Sequence, residues 1–176
     1  MPLKVIISES VINELNNKSF LTEKTLYHGT IITNLPSIEK YGLLPTIGSF
    51  VADMYGGAVD GDIMDYLEEV LYAADKTILQ ASQNAIIHYI SKHLNKNFHD
   101  VTDEDFERYG ALAVIKNGED YFKFHSEKDH EYGRAPIGVE TGDYYTKDVV
   151  SPDYILTGKK MTKFFRRFGL FPIKKY

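Results

Sequence analysis

The sequence predicts a single α+β domain, and three observations carry that expectation. Short apolar segments of strand length are scattered along the chain, and one long stretch, about Lys76 to Asn95, has apolar residues at helical spacing. Strands and helices do not alternate regularly, as a doubly wound sheet would require. The 176 residues suffice to bury a core, and a content of 43% hydrophobic and 26% charged residues excludes a disordered chain.

Taken in order, residues 1–25 read as an N-terminal arm, in which Val11, Ile12 and Leu15 follow Ser8 at helical spacing, and residues 26–176 as the folded domain. Leu26 to Thr30 reads as a short strand containing Gly29, a residue that permits close main-chain approach. A helix over Leu35 to Tyr41 is framed by Asn34, Pro36 and Gly42. Leu43 to Pro45 is extended, and the acidic stretch Ser49 to Glu69, broken by Gly56, Gly57 and Gly61, reads as short helices joined by a mobile loop. Val70 to Ala74 is a short buried strand.

The long helix from Lys76 to Asn95 places Ile78, Ala81, Ala85, Ile86, Tyr89, Ile90 and Leu94 along its apolar face. Asp103 to Tyr109 reads as a short capped helix and Ala111 to Ile115 as a central strand. Tyr121 to Phe124 alternates as a further strand, and Gly118 between the two favours a hairpin. More strands are expected near Ile137 to Val139, Asp143 to Thr146 and Val149 to Val150. After a turn at Pro152, a basic amphipathic helix from Lys159 to Phe168 closes the domain.

The absence of cysteine excludes disulfides, thiolate metal sites and a cysteine nucleophile, and fits a reducing compartment. No apolar run approaches the roughly 20 residues that span a bilayer, and the N-terminus lacks a basic segment followed by an apolar one. The expectation is a cytoplasmic protein with no membrane contact. Thirteen tyrosines and ten phenylalanines suit either core filling or a pocket that stacks a flat ligand. The net charge of −5 divides unevenly: seven basic and no acidic side chains from Gly158 onward leave −12 for everything before. That basic helix is either a solvated face or a contact for a polyanion.

Three segments then stand out together: Leu26-Tyr27-His28-Gly29-Thr30 with Ser37 to Pro45 (ending Gly42-Leu43-Leu44-Pro45), Leu71-Tyr72-Ala73-Ala74-Asp75, and Gly142 to Thr146 followed by Val150 to Ile155. In this order they resemble the motifs of the ADP-ribosyltransferase superfamily, in its histidine-tyrosine-glutamate branch, over about Leu26 to Ile155. The resemblance implies split antiparallel sheets around a cleft for NAD, consumed as a substrate, and transfer of ADP-ribose to a macromolecular acceptor, protein or nucleic acid. It extends to RNA 2'-phosphotransferases, which share the fold and also consume NAD, and to inactive nucleotide-binding modules. A toxin, a defence factor and a phage-encoded modifier would look alike.

The roles implied by the resemblance follow residue by residue. His28 donates one ring proton to a ribose hydroxyl while its other nitrogen is fixed by the fold, Gly29 brings main chain to the nicotinamide amide, Thr30 offers a hydroxyl beside it, and Tyr72 stacks on the nicotinamide ring. Cleaving the nicotinamide–ribose bond builds positive charge on the ribose, which a carboxylate stabilises. The expected glutamate is missing from the pattern: Asp143 stands near its place, with Glu140 as the rival. The cluster His125, Glu127, Asp129 and His130 reads as a solvated charged turn in preference to a metal site. No GxxxxGK[ST] or GxGxxG sequence is present, so a nucleotide would be held in another way.

Overall fold

The computed structural model describes residues 25–46, 69–126, 128 and 142–175. Within them the chain runs β1 (Leu26–Ile31), α1 (Leu35–Tyr41), β2 (Leu71–Ala73), α2 (Leu79–Leu94), α3 (Asp103–Tyr109), β3 (Gly110–Ile115), β4 (Lys123–Phe124), β5 (Tyr144–Thr146), β6 (Tyr154–Thr157) and α4 (Gly158–Arg167). The strands form two antiparallel three-stranded sheets, ordered β1-β3-β6 and β2-β5-β4. A single main-chain bridge between Tyr27 and Ala74 joins β1, the edge of the first sheet, to β2, the edge of the second. The architecture is α+β. The expected arm helix, the acidic stretch up to residue 68, the strand near Ile137 to Val139, and Glu127, Asp129, His130 and Glu140 lie outside the described residues.

β3 reads as an unbroken apolar run because both of its faces are buried. Leu112 and Val114 face one core with Tyr27, Ile31, Ile86, Ile90, Phe106 and Phe165, under α2, α3 and α4. Ala111, Ala113 and Ile115 face a second core with Leu26, Ile38, Leu71, Ala73 and Ile155, toward α1 and the second sheet. β1 obeys the same alternation, so Leu26, His28 and Thr30 turn toward the second sheet while Tyr27, Gly29 and Ile31 turn toward α2.

Local chemistry sets the helix ends. Thr102 accepts from Asp105 N while the Asp105 carboxylate accepts from Thr102 N, a reciprocal capping box that starts α3. α1 stops at Gly42, whose φ of 81° suits a residue with no side chain. Asn34 precedes α1 as expected but does not cap it: its side-chain amide donates instead to Thr30 Oγ1 at 3.1 Å.

Four local expectations change. α2 begins at Leu79, not Lys76, because Asp75 Oδ1 accepts from both the main chain and the hydroxyl of Thr77 and holds a turn there. Its buried stripe is Leu79, Ser82, Gln83, Ile86, Ile87, Ile90 and Ser91, rotated from the expected face, so that Ala81 is exposed. β3 and β4 form no hairpin. They belong to different sheets, and the strand near Tyr121 shrinks to Lys123–Phe124 with Tyr121 55% exposed. Of Val149 and Val150, only Val150 pairs, bridging to Leu43.

Candidate functional site

The two sheets part just past the Tyr27–Ala74 bridge, and His28 sits where they part. Tyr27 exchanges both main-chain bonds with Ala74, at 2.8 Å each. At the next step it is a side chain that reaches across: His28 Nδ1 lies 2.6 Å from the carbonyl oxygen of Tyr72. A carbonyl only accepts, so Nδ1 carries the proton and Nε2 of the neutral ring is an acceptor. This corrects the sequence-based role. The half-buried imidazole has no second ring proton to donate, so Nε2 can only accept a hydrogen bond. Burial lowers the pKa of His28 from its ordinary value, the bond to Tyr72 offsetting part of that shift, so the ring is neutral near pH 7.

Gly29 has two separate consequences. A Cβ on it would stand 2.2 Å from the Ser82 carbonyl and 2.9 Å from Ile86 Cγ1, so the close approach that demands glycine is made by α2. Its N–H and C=O point elsewhere. Because Tyr27 bonds to Ala74, the alternation of an antiparallel ladder turns the main-chain groups of Gly29 away from β3 as well. Alternation turns both groups toward β2, which among the described residues makes no main-chain bond with Gly29. Thr30 is buried, and its hydroxyl accepts from Asn34.

Ser82 is a residue that sequence reasoning passes over. Its Oγ donates to Tyr27 O at 2.9 Å, pinning α2 against β1 directly behind the site. A small polar residue inside the apolar stripe of α2 was the available signal. The hydroxyl of Tyr27, fully buried, has no hydrogen-bond partner among the described residues. Its pKa is raised, by burial first and by the nearby Asp75 carboxylate second.

Tyr72 stands opposite Tyr145, which stands opposite Lys123, so the three share one face of the second sheet. The other face carries Leu71, Ala73 and Tyr144 into the core. Asp143 precedes β5 by one residue, and alternation puts it on the face of Tyr145 and Tyr72. It is then the diagonal neighbour of Tyr72, a relation that spans about 7–8 Å between strands. Its position is held by the main chain of His125, whose N–H donates to Asp143 O and whose C=O accepts from Gly142 N, both at 2.9 Å. His125 is 1% exposed, which corrects its reading as part of a solvated turn. The structure therefore brings His28 and Tyr72 into contact and puts Asp143 on the face of Tyr72.

A second feature lies on α4. Lys159, Lys163, Arg166 and Arg167, with Thr162 and Glu107, line an open hollow of about 560 Å³. Among the described residues, no helix is long and apolar enough to cross a membrane, and no group of three or more His, Cys, Asp or Glu is placed to hold a metal ion. Compared with known proteins, the chain matches no family model, no curated protein and no solved structure.

Proposed function

We propose that the chain is an ADP-ribosyltransferase that cleaves NAD in the gap between its two sheets. The observation that carries this reading is the tether of His28 to the Tyr72 carbonyl, which joins the first two motifs of the superfamily at one point. The division into two antiparallel three-stranded sheets is compatible with this reading.

In this reading the nicotinamide carboxamide pairs with the outward N–H and C=O of Gly29, and Tyr72 supplies a stacking ring. The acceptor Nε2 of His28 takes a hydrogen bond from a ribose hydroxyl. Its neutrality matters, because an imidazolium would repel both the cationic nicotinamide of NAD and the cationic ribose that forms from it. Asp143 then offsets the growing charge, with Glu140 as the alternative. The C1'–nitrogen bond breaks, its electron pair leaves with nicotinamide, and the acceptor nucleophile bonds C1' and releases its proton.

The runner-up, an RNA 2'-phosphotransferase-like enzyme, is favoured by the four cations of the α4 hollow, since that chemistry also needs a site for RNA phosphate. Titration calorimetry of the intact chain with NAD tests the shared premise. Binding is expected, weakened in Tyr72→Ala by on the order of 1 kcal/mol with the fold retained. Absence of binding at millimolar NAD would remove both enzyme readings, and release of nicotinamide only in the presence of a 2'-phosphorylated RNA would favour the runner-up.

A further inference from the structure

The basic residues of α4 line a concave, predominantly cationic surface whose chemistry the NAD site does not use. α4 buries Met161, Thr162, Phe164 and Phe165 against the first sheet and α3, and leaves Lys159, Lys163, Arg166 and Arg167 exposed on the other side. These four cations line one hollow with a single acidic side chain, Glu107, whose Oε2 accepts from the Thr162 hydroxyl at 3.3 Å. At about 1.5 Å of rise per residue, Lys159 to Arg167 spans roughly 12 Å, the run of three or four stacked nucleotides at about 3.4 Å each.

We propose that this hollow docks a strand of nucleic acid through its phosphates. In the transferase reading, on which this part rests, the strand is the acceptor. Charge complementarity selects a polyanion, and the lack of apolar anchors selects nucleic acid over an acidic protein. Protein partners are held chiefly by buried aromatic and aliphatic groups. Among the described residues the large exposed hydrophobic ones are Tyr41, Leu44, Tyr121, Phe124 and Val149, and none lines the hollow. Arginine adds a planar fork that pairs with two phosphate oxygens at once. The body before Gly158, at −12, repels a polyanion and so confines it to this segment.

The test is fluorescence anisotropy of a labelled 20-nucleotide single-stranded RNA with the intact chain, in the absence of NAD. Four phosphate contacts at a slope of about −0.7 each predict a roughly 50-fold loss of affinity between 50 and 200 mM salt. The double variant K159E/K163E should bind at least tenfold more weakly, with a shallower salt slope and an unchanged circular dichroism spectrum. Arg166→Gln, which removes one charge, should shift affinity in the same direction by less. No binding at 50 mM salt, or equal binding by the wild type and the double variant, overturns the proposal. Displacement of the RNA by polyglutamate as readily as by unlabelled RNA overturns it in favour of an acidic protein. Because NAD is left out, failure of the NAD reading leaves this result intact, and failure here leaves NAD binding untouched.

Discussion

The carbonyl oxygen of Tyr72 accepts a 2.6 Å hydrogen bond from Nδ1 of His28, across the line where two sheets joined by one main-chain bridge begin to separate. That bond decides the tautomer of the ring, and with it the role of Nε2. It also makes His28 a strut between the sheets, and burial of the ring, which disfavours its charged form, couples its protonation state to stability.

The coupling has a sign. The folded-state pKa of His28 is lowered from its ordinary value, so the unfolded chain takes up a proton first as the pH falls. The contribution of the neutral ring is fully present above about pH 6.5 and is lost progressively as the pH falls toward the lower folded value. Urea unfolding at pH 7.5 and 5.0 measures this. His28→Asn keeps an N–H donor for Tyr72 O but cannot titrate, and it should lose less stability over that interval than the wild type does. An equal loss in both proteins would assign the sensitivity to another group.

The same variant separates the two nitrogens of the ring. His28→Asn retains the strut and deletes the Nε2 acceptor, so it should fold while binding NAD more weakly, by the roughly 0.5–1.5 kcal/mol of one hydrogen bond. Titration calorimetry beside a thermal melt reads the two effects independently.

Gly29→Ala tests the packing account of the first motif. The added Cβ would meet the main-chain carbonyl of Ser82, which cannot swing aside as a side chain does. A loss of about 1–3 kcal/mol is expected from overpacking, read as a lower midpoint in urea. Wild-type stability with lost NAD binding would show that glycine serves only the ligand.

Thr102→Ala should cost about 0.5–2 kcal/mol by removing the capping box of α3, with no change in NAD binding. It serves as a destabilised control for the NAD site, and a change in NAD affinity would tie α3 to that site.

Much of the fold is legible in the sequence because its signals are local. Pro36 and Gly42 frame α1, Thr102 and Asp105 start α3, and the apolar run at β3 announces a strand buried on both faces. What is hidden depends on distant partners. Gly118 looks like the turn of a hairpin, yet β3 takes β1 and β6 as neighbours and β4 takes β5, choices that no short window contains. Gly29 reads as a gap for a ligand until Ser82 of α2 fills it. The tautomer of His28 depends on a carbonyl 44 residues away, so the chemistry of that ring is invisible in its motif. The concavity of the basic α4 surface needs Glu107 of α3 as its wall, and the sequence shows only the charge.

The proposed reaction breaks the nicotinamide–ribose bond of NAD with the help of a carboxylate on the Tyr72 face. Nicotinamide release from NAD, followed by chromatography for the wild type, Asp143→Asn and Glu140→Gln, tests it most directly. Release by the wild type is expected, with a fall of about a hundredfold or more in Asp143→Asn with NAD binding kept, and a much smaller effect in Glu140→Gln. Absence of nicotinamide release from the wild type, with NAD and RNA both present, would contradict it.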